Sequence, residues 1–123
     1  MWEICVEDTF SSAHQLIGYE GKCERLHGHN WRVVLCVKCK EINDIGICVD
    51  FKKLKFILKN ILEDLDHKIL NEVPFFKEGR NPSAENISLF IFERAKEEIN
   101  GGKVFVSSVK VYETETSYVE FKE

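Results

Sequence analysis

Long apolar runs are absent from the sequence. No stretch approaches the roughly 20 consecutive apolar residues that a membrane-spanning helix needs. The N-terminal segment Met1–Ile4 has neither the basic residues nor the long apolar stretch of a secretory signal peptide. We therefore expect a cytoplasmic protein that does not enter a membrane.

Basic clusters are absent as well. The net charge is -4, and the 17 Lys and Arg residues are spread along the chain. A protein that binds nucleic acid directly usually carries a basic patch or stripe, so we expect no nucleic-acid partner. We find no internal repeat, low-complexity segment or linker, and a length of 123 residues suits one domain over 1–123.

The number of cysteines is odd: Cys5, Cys23, Cys36, Cys39 and Cys48. An odd number in a cytoplasmic chain argues against a disulfide framework. Cys36 and Cys39 form a C-x-x-C pair, which is typical of zinc and redox sites. They lie on an expected strand, however, where side chains three positions apart point to opposite faces. We interpret them as ordinary buried or half-buried thiols.

Hydrophobic periodicity predicts the element order strand, strand, helix, helix, strand, strand. The predicted elements are strands over 2–10 and 30–38, helices over about 51–66 and 84–99, and strands over 104–112 and 117–121. Strands that flank two central helices indicate the α+β class, with an antiparallel sheet and both helices on one face. The other face and the edges of so small a sheet need cover, which favours an oligomer.

The histidines carry the clearest chemical signal. His27 and His29 are two positions apart at the entry to a strand, so their side chains project to the same side. Gly28 between them lets the backbone shape itself around a ligand. His14 follows the first strand and comes close to both if the first two strands pair as a hairpin. Three neutral imidazoles with one open position are typical of a catalytic zinc site. The alternative is a chance H-x-H pair.

Three further features complete the candidate site. Cys23 lies four residues before His27, and near a zinc ion its thiolate would be a base or nucleophile. As a fourth ligand it would instead close the site. Asp66 beside His67 is typical of an acid/base pair, although a helix C-terminus also favours a histidine. Glu113 is able to accept hydrogen bonds from the N–H and NH2 edge of a pterin or guanine ring, or it is an ordinary surface glutamate.

Several motifs appear in an order that identifies a family. They are Phe10–His14, Cys23-x-x-x-His27-Gly28-His29-Asn30, Val49–Lys55, Leu65–His67, Asn81–Asn86 and Tyr112–Thr114. Across nearly the whole chain they resemble the 6-pyruvoyltetrahydropterin synthase family, and specifically its 6-carboxytetrahydropterin synthase branch. The resemblance implies the tunnelling fold (T-fold), a four-stranded antiparallel sheet with two helices between its second and third strands. It also implies homohexamers of two trimers with active sites at subunit interfaces.

The resemblance also implies roles for single residues. By position it assigns zinc ligation to His14, His27 and His29, catalysis to Cys23, Asp66 and His67, and pterin binding to Glu113. The implied zinc-dependent lyase reaction converts 7,8-dihydroneopterin triphosphate into 6-carboxytetrahydropterin, acetaldehyde and triphosphate. That step belongs to the 7-deazaguanine route to queuosine and archaeosine.

Because of Glu24, the sequence does not decide which pterin product the enzyme forms. The three residues between Cys23 and His27 resemble the 6-carboxytetrahydropterin synthase branch, whereas the animal-type 6-pyruvoyl synthases have a longer insertion. A folate-linked branch uses a glutamate at the position of Glu24 to release 6-hydroxymethyl-7,8-dihydropterin, so the chain resembles enzymes that form both products. The alternative is that Glu24 is an idle surface residue without a catalytic role. Two alternatives of other classes are a structural zinc module that binds a protein partner, and a T-fold purine or pterin binder without lyase chemistry.

Overall fold

The computed structural model describes residues 1–20 and 24–123. Its main elements are β1 (Trp2–His14), β2 (His27–Cys39), α1 (Phe51–Glu63), α2 (Ala84–Ile99), β3 (Val104–Thr114) and β4 (Ser117–Lys122). Two short 3-10 helices, Leu70–Glu72 and Pro74–Phe76, lie between α1 and α2. The predicted ββααββ order is confirmed.

The four strands form one antiparallel sheet in the order β1-β2-β3-β4. The β1–β2 hairpin is its longest pairing and runs from Trp2 opposite Cys39 to His14 opposite His27. Because side chains alternate along a strand, residues opposite each other in this register share a face. The hairpin therefore places the end of β1 and the start of β2 side by side, with their side chains on the same face.

Both helices pack against one face of the sheet, as predicted, and the core lies between these layers. The strands contribute Val6, Phe10, Trp31, Val33, Leu35, Val109 and Val111, and the helices contribute Leu54, Leu58, Ile61, Ile87 and Ile91. Full burial of one such Leu or Ile contributes about 1.5–3 kcal/mol. Phe51, the first residue of α1, is 59% exposed although it is apolar.

Side-chain caps fix where the helices begin. The Asp50 carboxylate accepts a hydrogen bond from the Lys52 amide at 2.8 Å, and the Ser83 hydroxyl accepts one from the Asn86 amide at 3.2 Å. Such caps are worth about 0.5–2 kcal/mol each. The helix α1 ends at Glu63, three residues before the predicted end. Within the described ranges, no helix has the length and apolar character needed to cross a membrane.

Two disulfide bonds correct the expectation of free thiols. Cys5 is bonded to Cys36, its partner in the β1–β2 register, and Cys39 is bonded to Cys48 in the loop before α1. The odd number of cysteines wrongly argued against disulfide bonds, because four of the five cysteines form two pairs. The fifth, Cys23, lies outside the described residues. Cys36 and Cys39 do not bond to each other, in agreement with their spacing on a strand.

Candidate functional site

Three imidazoles meet where β1 ends and β2 begins. The β1–β2 register places His14 opposite His27, and His29 lies two residues further along the same face of β2. His14 Nε2 is 3.1 Å from His27 Nε2, and one ring nitrogen from each of the three histidines lies within 4.8 Å of the other two. The hairpin expected from the sequence therefore brings the three histidines together.

Backbone carbonyls orient two of these rings. The Pro82 carbonyl accepts a hydrogen bond from His14 Nδ1 at 2.7 Å, and the Arg25 carbonyl accepts one from His27 Nδ1 at 2.7 Å. A ring that carries its proton on Nδ1 has a free lone pair on Nε2, which is the usual state of a metal-ligating histidine. The two Nε2 atoms therefore face each other as acceptors, an arrangement that a cation between them would satisfy.

His29 completes the set of nitrogen donors. Within the described part of the chain its Nε2 atom is buried and has no hydrogen-bond partner. Burial lowers the pKa of His29, the Glu113 carboxylate acts in the opposite direction, and the neighbouring His14 and His27 lower it further. A neutral ring with an unpaired, buried nitrogen is suited to bind a metal. The three residues thus fit a metal ion of the kind that imidazole favours.

Trp31 supports the triad from the core side, a role that the sequence analysis missed. Its ring is fully buried, and its edge contacts with His14 and His29 have centroid distances of 4.9 and 5.1 Å. The indole nitrogen donates to the Ser12 carbonyl at 3.2 Å. The available signal was the position of Trp31, two residues beyond His29 on the same face of β2.

Glu113 approaches the triad from the next strand. One carboxylate oxygen lies 3.7 Å from His29 Nε2 and the other lies 3.9 Å from His14 Nε2. The side chain remains 38% exposed, so a ligand beside the triad could reach it. The order β1-β2-β3 accounts for this placement, since β3 is the neighbour of the strand that carries His27 and His29. Glu113 therefore lies at the site rather than on an unrelated surface.

Glu24 also contacts the edge of the site. Its amide donates to the Leu16 carbonyl at 3.0 Å, and its carboxylate accepts from the Leu16 amide at 3.4 Å. The same carboxylate lies 4.0 Å from His27 Nδ1. Glu24 therefore has structural partners at the site, and its catalytic role stays a prediction. Cys23, the expected catalytic thiol, lies outside the described residues.

Asp66 and His67 form a hydrogen-bonded pair at the outer edge of β1. Asp66 accepts from the Ser11 amide at 2.8 Å through one oxygen, and the other oxygen is 2.8 Å from His67 Nδ1. Both bonds lower the pKa of Asp66, the one from Ser11 most. The His67 amide donates to the Ser11 carbonyl at 2.6 Å. Asp66 therefore fixes the imidazole of His67, which is 83% exposed.

Within one chain, His67 lines a cleft to which the triad does not contribute. His67 lines a cleft of about 780 Å³ together with Lys68, Phe75, Phe90 and Arg94. Among the described residues that line this cleft there is no member of the triad, and Glu113 is not among them. The catalytic role that the family resemblance implies for His67 therefore stays a prediction, since no triad residue lines this cleft.

Comparison with known proteins decides the family. The model of the family described as 6-pyruvoyl tetrahydropterin synthase matches residues 3–123. This chain belongs to that family. The result confirms the family resemblance predicted from the motifs, and several curated relatives are named 6-carboxy-5,6,7,8-tetrahydropterin synthase.

Individual relatives match over nearly their full length. A 6-carboxy-5,6,7,8-tetrahydropterin synthase of Synechocystis sp. is 36% identical, and the match covers 98% of this chain and 93% of the relative. A 6-pyruvoyl tetrahydrobiopterin synthase of Dictyostelium discoideum is 35% identical, with 94% and 91% covered. The solved structure of Caenorhabditis elegans 6-pyruvoyl tetrahydropterin synthase superposes with a TM-score of 0.83 at 27% identity, covering 100% and 97%. This similarity confirms the tunnelling fold.

Proposed function

We propose that this chain is a zinc-dependent 6-carboxytetrahydropterin synthase. It would convert 7,8-dihydroneopterin triphosphate and one water molecule into 6-carboxytetrahydropterin, acetaldehyde and triphosphate for 7-deazaguanine biosynthesis. The observation that carries the proposal is the histidine triad with the Glu113 carboxylate 3.7 Å from His29 Nε2. A metal position and a carboxylate acceptor side by side suit a substrate with hydroxyl groups next to a pterin ring. Relatives named for this activity match over most of the chain.

His14, His27 and His29 would hold the zinc ion through their Nε2 atoms. When bound, zinc supplies a Lewis acid that polarises substrate oxygens and acidifies the neighbouring C–H bonds. The carbonyls of Pro82 and Arg25 keep two of the rings in the tautomer that binds metal. A set of three neutral histidines leaves a coordination position for the substrate, as catalytic zinc sites require.

Glu113 would anchor the pterin ring. An amino-pyrimidinone edge presents an N–H and an NH2 group side by side, and a carboxylate accepts both in parallel. The carboxylate of Glu113 is half-exposed beside the triad, so a ring held there would place its side chain next to the metal ligands. This arrangement would fix which carbons of the substrate come within reach of the base.

Proton transfer would use Cys23 and His67. We assign to the Cys23 thiolate the removal of a proton from the substrate side chain, because a nearby cation lowers the pKa of a thiol. His67 would relay a second proton through Nε2, since Asp66 occupies its Nδ1 atom at 2.8 Å. The exposed ring of His67 has access to a bound molecule.

An oligomer would join the two halves of the site. Because no triad residue lines the cleft that contains His67 in one copy, we propose that His67 of one copy serves the triad of another. The hexamer of two trimers that the family resemblance implies would provide such interfaces. A second copy is therefore the partner that the chain needs for turnover, besides the substrate.

We place the enzyme in the cytoplasm, where its substrate and pathway would be found. Disulfides are rare in the cytosol of mesophiles, but the intracellular proteins of hyperthermophiles are rich in them. The bonds Cys5–Cys36 and Cys39–Cys48 are therefore compatible with a cytoplasmic enzyme.

Two other products have specific support. The Dictyostelium discoideum relative, named a 6-pyruvoyl tetrahydrobiopterin synthase, is 35% identical, which favours a pyruvoyl product as the second candidate. The Glu24 carboxylate lies 4.0 Å from His27 Nδ1, a position from which it could act in forming 6-hydroxymethyl-7,8-dihydropterin. Both products arise from the same substrate, so one assay distinguishes them.

The proposal is tested by anaerobic incubation of the zinc-loaded protein with 7,8-dihydroneopterin triphosphate, followed by liquid chromatography and mass spectrometry. We expect 6-carboxytetrahydropterin and acetaldehyde in equal amounts. A 6-pyruvoyl or 6-hydroxymethyl product would transfer the assignment to the corresponding branch. Substrate that survives unchanged would refute the lyase function and favour a zinc module or a pterin binder.

A further inference from the structure

The hydrogen-bond ladder of β1 continues beyond its last residue, His14, through two asparagine side chains. The Gln15 amide donates to Asn71 Oδ1 at 2.9 Å, and Asn71 Nδ2 donates back to the Gln15 carbonyl at 2.7 Å. The same pattern repeats two residues later, where the Ile17 amide and carbonyl bond to the Asn81 side chain at 2.8 and 2.9 Å. We call Asn71 and Asn81 the amide clamps.

The clamps take the place of a neighbouring strand. Upstream on the same edge, the backbone of 67–69 pairs with β1 at Ser11 and Ala13. An asparagine side chain offers one carbonyl acceptor and an NH2 donor, the same groups that a peptide unit presents. Asn71 and Asn81 therefore continue the outer ladder after the backbone has turned away.

The opposite edge of the clamped segment holds Glu24. The Leu16 amide and carbonyl both bond to Glu24, at 3.4 and 3.0 Å, and the Gln15 side chain donates to the Glu24 carbonyl at 2.7 Å. Residues 15 and 17 thus face the clamps, and residue 16 faces Glu24, which is the alternation of a strand. Glu24 directly follows Cys23 in the sequence and lies three residues before His27.

The second clamp is also connected to the triad. Asn81 precedes Pro82, whose carbonyl accepts from His14 Nδ1 at 2.7 Å. Asn86 in the first turn of α2 donates to the Asn81 carbonyl at 2.8 Å, and its amide is capped by Ser83. The turn at the start of α2 therefore positions both the Asn81 side chain and the Pro82 carbonyl that orients His14.

We propose that Asn71 and Asn81 are positioning residues, which hold the backbone of Gln15–Ile17 in place and thereby fix Glu24 beside His27. The kinetic part of this inference rests on the proposed function, in which Cys23, the residue before Glu24, is the base. Neither clamp has an assigned contact with the substrate, so both would act through the segment that they hold. A misplacement of about 1 Å in such a site can cost about 100-fold in rate.

The test uses Asn71→Asp and Asn81→Asp in the zinc-loaded protein. Each change keeps the Oδ1 acceptor but replaces the NH2 donor with a charged oxygen that faces a backbone carbonyl. The matched control is Asn60→Asp, which makes the same change on the exposed surface of α1. If an Asp variant does not fold, Asn→Ser at the same position replaces it. The readouts are amide hydrogen exchange at Leu16 and Glu24, zinc content, kcat and KM.

We expect exchange at Leu16 and Glu24 to become at least about tenfold faster in both clamp variants, with one zinc retained per chain. The kcat should fall about 10- to 100-fold, and KM should change less than about twofold because Glu113 is untouched. Unchanged exchange, a wild-type kcat despite faster exchange, or an equal loss in Asn60→Asp would overturn the inference. If the wild-type protein does not transform the substrate, the proposed function fails, whereas the exchange rates still decide whether the clamps hold Glu24.

Discussion

Replacement of Glu113 by glutamine tests the pterin anchor. Glu113→Gln preserves the shape of the side chain but turns one of its two acceptors into an NH2 donor. Because the proposed ring edge presents two donors, that NH2 group would face a donor and remain unpaired. The carboxylate lies 3.7 and 3.9 Å from two triad nitrogens, so the substitution occurs next to the proposed metal position without removing a ligand.

The size of the effect follows from two terms. A hydrogen bond to a charged group is worth about 1.5–3 kcal/mol, and a partner left unsatisfied costs about 1–3 kcal/mol. Glu113 is 38% exposed, so solvent screens part of the loss. We therefore expect about 2–4 kcal/mol, which corresponds to binding weakened about 30- to 1000-fold.

The assay measures KM for 7,8-dihydroneopterin triphosphate and the Kd of an unreactive oxidised pterin by calorimetry. Glu115→Gln is the matched control, because Glu115 is exposed in the turn between β3 and β4. The Glu113 carboxylate raises the pKa of His29, so its loss should let His29 remain neutral, and bind zinc, at a slightly lower pH. A KM for Glu113→Gln within about threefold of the wild type would refute the anchor.

Three further predictions concern the base, the pH dependence and the disulfides. Cys23→Ala should fold and bind zinc but lose turnover, whereas loss of zinc and of folding would show that Cys23 is a structural ligand. The pKa of Asp66 is lowered in the folded state, chiefly by the hydrogen bond from the Ser11 amide. The Asp66 carboxylate therefore contributes its full stabilisation above the unfolded pKa of about 3.9, and this stabilisation is lost as the pH falls through the folded pKa. The melting temperature of Asp66→Asn should therefore depend less on pH in that acidic range, and parallel curves would contradict this. The Cys5–Cys36 bond joins residues 31 positions apart, and its removal by alanine at both positions should lower the free energy of unfolding by about 3–4 kcal/mol. Urea denaturation measures this change, and an unchanged midpoint would refute a stabilising role.

The elements governed by local periodicity were predictable from the sequence. Leu54, Leu58 and Ile61 lie at helical spacing and are buried in α1, and the capping residues Asp50 and Ser83 directly precede the helices. The proximity of the three histidines was predictable too, because it needs only a hairpin in which His14 meets the H-x-H pair.

The end of β1 was harder to predict, because its inward residues are polar. Ser12 and His14 occupy core-facing positions where the strand pattern expects apolar side chains. They are buried because the Leu65 and Pro82 carbonyls accept hydrogen bonds from them. Those partners come from segments distant in sequence, so no local pattern could reveal that the strand continues beyond Phe10.

Other features depend on tertiary register or on assembly. The Cys5–Cys36 bond follows from the β1–β2 register, which the number of cysteines does not specify. The clamp by Asn81 needs a side chain 64 residues away from Ile17. His67 is placed by Asp66, whose carboxylate accepts from the Ser11 amide at the outer edge of β1, and a sequence motif does not encode that edge.

X-ray absorption at the zinc edge distinguishes a catalytic zinc site from a structural one. We would record spectra of the wild-type protein alone and with an unreactive pterin that carries the same hydroxylated side chain. We expect three nitrogen scatterers at about 2.0–2.1 Å, from His14, His27 and His29, with oxygen completing the shell and changing when the pterin binds. A sulfur scatterer at about 2.3 Å, or a shell that the pterin leaves unchanged, would contradict a catalytic zinc site and indicate a closed structural one.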